Sequence, residues 1–134
     1  MAQNVIEKEA AEQELKSIVD FFELDPEGEG WDTTKAKIVN AIQKGRIILD
    51  ESASTIVLTL ASPIILKNGE EIGELTLHEP SASDLRIFDK YGASEGMAKT
   101  IHLASKMTGQ AIDILDRLGA RDLQTLSAVA SLFF

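Results

Sequence analysis

Cysteine is absent from this 134-residue chain, which excludes disulfides, thiolate metal sites and cysteine nucleophiles and fits a reducing cytoplasm. No apolar run approaches the roughly 20 residues needed to cross a bilayer. The opening MAQNVIEKEAAEQE has neither the basic start nor the apolar block of a signal peptide, so a soluble, cytoplasmic protein with no membrane partner is expected. Basic residues are also scarce. Against 22 Asp and Glu stand 13 Lys and Arg, a net charge of −9. Nucleic-acid binding requires a basic face that displaces counterions from phosphates, and none is evident here. Neither GxSxG nor GxGxxG after a strand occurs. What remains is ample apolar material: 44% hydrophobic residues, enough for one ordinary core or two very small units sharing one.

Other motif readings fail on spacing. His78 and His102 are the only histidines; they fall on different elements and in no metal-ligand pattern. Gly92-Ala-Ser-Glu-Gly96-Met-Ala-Lys99-Thr100 resembles a phosphate loop only superficially. In a true P-loop the second Gly directly precedes the Lys, so that amides and ammonium converge on one phosphate. Asp25, Glu27 and Glu29 alternate as in a calcium loop, but the twelfth position from Asp25 is Ala36 rather than a bidentate Glu. No catalytic residue, metal ligand or cofactor site is therefore expected, and the chain does not read as an enzyme.

The charge is unevenly placed. Residues 1–32 carry 10 acids and 2 bases, whereas residues 33–134 carry 12 acids and 11 bases. The acidic start reads as a solvated face, with shielding of a sticky surface or steering of a basic partner as its functional alternatives. Residues 1 to about 10 are expected to fray. Leu15, Ile18, Val19 and Phe22 then follow the amphipathic helix template, which Asp25-Pro26 and Gly28-Glu-Gly30 stop. Asp32 is the expected cap of a second helix from about Thr33 to Lys44, with Gly45 just past its end. Trp31 is expected to pack where this helix meets the strands.

Two hairpins follow in the pattern. Arg46–Leu49 pairs with Thr55–Leu60, and Ile64–Lys67 pairs with Glu71–His78, giving four short strands. Asn68-Gly69 between apolar runs signals a tight turn in which both residues tolerate positive φ. Ile72 falls out of phase with Leu75 and Leu77, so a bulge is expected at Gly73. After Pro80 the period becomes helical. Ser81-Ala-Ser-Asp84 reads as a capping box, and segments Ser83–Tyr91, Ser94–Thr108, Gln110–Leu118 and Arg121–Phe134 are separated by glycines. The sequence thus predicts an α+β protein: a small N-terminal helical pair, short antiparallel hairpins and a C-terminal helical bundle. Of the adjacent Phe133 and Phe134, one ring can enter a core and the other faces outward.

From about Thr55 onward the chain resembles the tail assembly chaperones of contractile-tailed phages and prophages, the Mu-like group. The resemblance rests on an ordered set of short motifs. Pro63-Ile64 and Asn68-Gly69-Glu lead into Leu75-Thr-Leu-x-Glu79-Pro80. Asp84-Leu85-Arg86-x-Phe88-Asp89-Lys90 comes next, then Ala98-Lys99-Thr100-Ile101 and Thr108-Gly109. Leu115-Asp-Arg117-Leu118-x-Ala-Arg121-Asp122-Leu123 closes the set. Residues 1–54 lie outside it and read as an acidic N-terminal helical unit with the start of a hairpin; residues 55–134 form the chaperone-like region.

The resemblance implies a non-enzymatic protein that coats the long helical tape-measure protein and keeps it soluble before tail-tube polymerisation. Such a protein acts in the host bacterial cytoplasm, is displaced when tube subunits assemble, and is absent from the mature virion. Some family members also have a longer frameshifted form. The resemblance carries over regions rather than catalytic residues. Reversible binding of amphipathic helices favours many weak apolar contacts in a groove, and methionine suits a tolerant surface. Candidate groove residues are Phe88, Tyr91, Met97, Ile101, Met107, Leu126, Val129 and Phe133, although apolar positions at helical spacing are also the usual makings of a core. Multivalent binding is compatible with a homo-oligomer, in rings or coats. Two rivals remain: a structural tail or head–tail connector component, and a small DNA-binding regulator in which Lys35, Lys37 and Lys44 would face phosphates.

Overall fold

A computed structural model describes residues 6–133. Among these, helices α1 (Lys8–Phe21) and α2 (Trp31–Gln43) precede strands β1 (Ile47–Asp50), β2 (Thr55–Ile65) and β3 (Glu71–His78). Helices α3 (Ala82–Leu85), α4 (Gly96–Thr108), α5 (Ile112–Leu115) and α6 (Ala120–Ala130) follow. The class is α+β, as the sequence predicts. The strands form one antiparallel sheet in the order β1-β2-β3, and α2, α4 and α6 pack on it. The core is a single cluster, running from Ala11, Leu15 and Ile18 on α1 through Ile38 and Ile42 on α2 and Ile56, Leu58, Leu75 and Leu77 on the sheet. It continues into Leu103, Ala104 and Met107 on α4 and Leu126, Val129 and Leu132 at the end of the chain. Segments 1–54 and 55–134 both contribute to it.

Several boundaries differ from expectation for identifiable reasons. Helix α1 already begins at Lys8, and the Ile6 amide donates to the Gln43 carbonyl, so the expected fraying does not reach residues 8–10; residues 1–5 lie outside the described residues. Asp32 does not cap α2. That position is taken by Gly30, in the left-handed region at φ 86°, and Asp32 sits in the first turn, where its charge complements the helix dipole. The Gly45 and Arg46 amides donate to the Ile42 and Ala41 carbonyls, with Gly45 at φ 73°. This is the Schellman closure that its position predicts.

The sheet has three strands rather than four, because the second and third expected strands are one continuous β2. Its pairing with β3 is interrupted. Thr59 faces Glu74 and Ile64 faces Ile72, so Leu60–Pro63 stand opposite Gly73 alone. The irregularity falls at Gly73 as predicted, but the extra residues belong to β2, where Pro63 has no amide to give a ladder. The shift brings Ile72 opposite Ile64, which absorbs its phase error. At the hairpin tip the Leu66 amide donates to the Glu70 carbonyl, and only Gly69 (φ 89°) has positive φ. The turn is therefore a three-residue loop ending in a left-handed glycine, not the two-residue turn expected. Asn68 instead accepts the Glu70 amide through its side chain.

The capping box at Ser81 and Asp84 is present in both directions. The helix it opens lasts one α-turn and then tightens to 3₁₀ over Arg86–Lys90. In a 3₁₀ turn side chains three apart eclipse, and this brings Phe88 and Tyr91 onto one side, over Lys99 and His102 of α4. The segment expected to be helical over 110–118 is one α-turn, α5, continued by i to i+3 bonds at Arg117 and Leu118. Helix α6 ends at Ala130 and passes into a 3₁₀ turn over Ser131–Phe133. No helix among the described residues is long and apolar enough to cross a membrane.

Candidate partner-binding surface

The eight apolar positions predicted to meet a partner separate by burial. Met107, Leu126 and Val129 are enclosed in the core, each at 1% exposure or less; they hold α4 and α6 together and meet a partner only if those helices part. Phe88, Tyr91 and Ile101 are half-buried around α4, and Met97 at its first turn is 59% exposed. Phe133 is half-buried away from these, its ring edge-on to Phe22 at 5.2 Å. Phe134 lies outside the described residues.

The structure therefore brings together one ridge. Lys99 Nζ lies 5.0 Å from the Phe88 ring centroid, a cation–π contact. The Tyr91 hydroxyl and His102 Nδ1 are 2.9 Å apart and hydrogen bonded. These pairs cover one flank of α4, with Phe88 and Tyr91 both half-buried. The segment resembling a phosphate loop is consumed by this arrangement: residues 96–100 are the first turns of α4, and Lys99 is engaged with Phe88. On the other flank, Met97 and Thr100 look toward Leu123, Ala120 and Gln124 of α6, and together they line an open groove of about 520 Å³.

Trp31 is not at the strands. It is half-buried beside Ser131 and Leu132, lining a cleft of about 370 Å³ with Asp25, Glu27 and Glu29. The strands join α2 at its far end, about 20 Å away at 1.5 Å per residue. Among the described residues no group of three or more His, Asp or Glu side chains is placed to hold a metal ion. His78 is tied down locally, its Nδ1–H donating to the Glu79 carbonyl at 2.9 Å.

One buried charged residue carries a role that local sequence patterns do not reveal. Asp122, 2% exposed in the first turn of α6, accepts the Ala61 amide at 2.7 Å and the Ser62 amide at 3.0 Å. These amides lie in the stretch of β2 where pairing with β3 is interrupted, and the carboxylate takes the place of the missing ladder. Two charge-assisted bonds satisfy donors that would otherwise be stranded. The only sequence signal was an acid in a helix's first turn, which dipole complementarity would explain equally well.

The described residues thus form an α+β protein whose helical face carries half-exposed apolar side chains and open grooves. The chain belongs to the family of phage tail assembly chaperone proteins (E, or 41 or 14), whose model matches residues 57–134. No curated protein and no solved structure matches it.

Proposed function

We propose that this protein is a tail assembly chaperone that binds the tape-measure protein reversibly and keeps it soluble until the tail tube polymerises around it. The observation that carries this reading is the family match over residues 57–134. The surface supports it: Phe88 and Tyr91 on one flank of α4, Ile101 on the helix itself and Met97 on the other flank offer shallow, partly exposed apolar area. Shallow contacts with adaptable side chains suit repeated amphipathic helices that must later be released. Met107, Leu126 and Val129 lie in the core behind α4 and α6, and Phe133 adds half-buried apolar area beside Phe22. In this reading the protein is not an enzyme, works in the host bacterial cytoplasm, needs no cofactor and leaves before the virion is complete.

Co-expression with the long helical tape-measure protein tests the proposal. The partner is expected in the soluble fraction with this chain and in the insoluble fraction without it, and the chain is expected to be missing from purified particles. Recovery of the chain from finished particles would instead make it a structural tail component.

A further inference from the structure

Helices α2 and α6 run antiparallel along a furrow whose two ends carry opposite charge. At one end Trp31 and Thr34 face Ser131 and Leu132, and the lining carboxylates are Asp25, Glu27 and Glu29. At the other end Lys37, Lys44, Arg46 and Arg121 line a notch of about 160 Å³ that contains no acid. Between them lies the groove holding Met97, Leu123 and Ala120, which shares Thr34 and Ser131 with the acidic end and Lys37 and Gln124 with the basic end. Among the described residues none of these seven charges forms an ion pair; the pair present is the exposed Lys16–Asp20 on α1. The furrow runs about 20 Å along α2, at 1.5 Å per residue, too far for its own ends to meet.

A linear pattern of acid, apolar and base is complementary to its own reverse. We propose that the furrow is the interface of a two-fold homodimer, in which the acidic end of each copy lies over the basic end of the other and the exposed Met97 residues meet near the axis. A two-fold contact is self-complementary and closes at two copies. A long polyanion fits less well, because it would have to run past Asp25, Glu27 and Glu29 to follow the groove. Half of the furrow, including Lys37, Lys44 and Arg46, lies outside the family match at residues 57–134, and half, including Met97, Leu123 and Arg121, lies within it. The dimer interface shares Met97 with the surface proposed for the tape-measure protein, and it is tested on the chain alone.

Size exclusion with light scattering reads the mass in low and high salt, with charge-swapped variants. Lys37→Glu with Lys44→Glu and Arg121→Glu makes both ends acidic; Glu27→Lys with Glu29→Lys makes both basic. Lys44 is half-buried and the other four positions are exposed, and circular dichroism checks that each variant is folded. The expected result is a dimer at low salt whose dissociation constant rises at least tenfold between 50 mM and 500 mM salt. Each variant alone is expected to be a monomer, and an equimolar mixture of the two to return to dimer mass. A monomer at every salt concentration, a dimer indifferent to salt and to the swaps, or masses growing beyond two copies would each overturn the two-fold furrow interface.

Discussion

The family match begins at residue 57, whereas the hydrophobic core begins at Ala11 and runs without a break to Leu132. The two N-terminal helices and the matched region differ in charge and in likeness to known proteins, yet not in how they are buried. Ile38 of α2 and Leu126 of α6 are exposed by 0% and 1%. Sequence likeness thus marks where a shared pattern starts, while packing marks what folds together. Helix α2 packs against α6, β1 and α1, so without it the matched region would expose the apolar side of α6.

The sharpest way to break this comparison is to cut into the core on each side of residue 57. Ile38→Ala and Leu126→Ala should each cost about 2–5 kcal/mol, the range for truncating a fully buried aliphatic side chain. Both variants should unfold in urea in one transition that is the same by fluorescence and circular dichroism. Two separated transitions, or a loss at Ile38 that leaves the sheet and α6 untouched, would make the N-terminal helices an independent unit.

Next in size is the link between α6 and the interrupted strand. Replacing Asp122 with Ala removes the acceptor from two amides and should cost about 2–4 kcal/mol. Asp122→Asn, which keeps one oxygen, should cost less. Faster hydrogen exchange at the Ala61 and Ser62 amides in both variants would localise the loss to this contact; unchanged exchange there would show that another group satisfies them.

Local signals were the legible part of this fold. Gly45 and Gly109 both close helices at positive φ, and Ser81 with Asp84 forms the expected box, because each depends on residues within one turn. The Asp122 contact joins residues 60 and 61 positions apart, and no local pattern encodes it. For the same reason β2 read as two strands: Ala61-Ser62-Pro63 looks like a break until a distant carboxylate is known to occupy it. The candidate surface was legible as a set of apolar helical positions but not as a sorted one. Period alone cannot separate Met97 from Met107, because which face is covered depends on what packs there. The furrow was invisible, since its charges come from three separate stretches of chain.

A smaller effect sharpens the reading of the two glycines near the hairpin. Gly69 has φ 89°, so Gly69→Ala should cost about 1–2 kcal/mol. Gly73 has no positive φ and nothing within 4 Å of an added Cβ, so Gly73→Ala should be neutral or stabilising by up to about 1 kcal/mol. Thermal unfolding of the two variants side by side would distinguish them, and equal losses would contradict the observed turn.

The smallest effect is at the β1–β2 turn. The Ser52 hydroxyl and then the Ala53 amide, both donating to Asp50, hold its carboxyl below the ordinary value of 3.8. A carboxylate with a lowered folded-state pKa stabilises the protein above its unfolded pKa, and that contribution fades as pH falls through the folded value. Asp50→Asn should therefore be slightly less stable than the parent at neutral pH, with the gap closing in acid. A gap that widened in acid would reverse the assignment.

The proposed chaperone role is tested most directly by co-expressing the tape-measure protein with the parent chain and with an Ile101→Ser variant, and reading soluble complex by size exclusion with light scattering. Ile101 is half-buried on α4 and does not itself line the furrow, and the mass of the variant alone, read in the same run, separates partner binding from self-association. The account predicts a soluble complex with the parent, and at least a several-fold loss of complex with the variant while the variant alone remains folded. A tape-measure protein equally soluble with the parent, with the variant and with neither would contradict it.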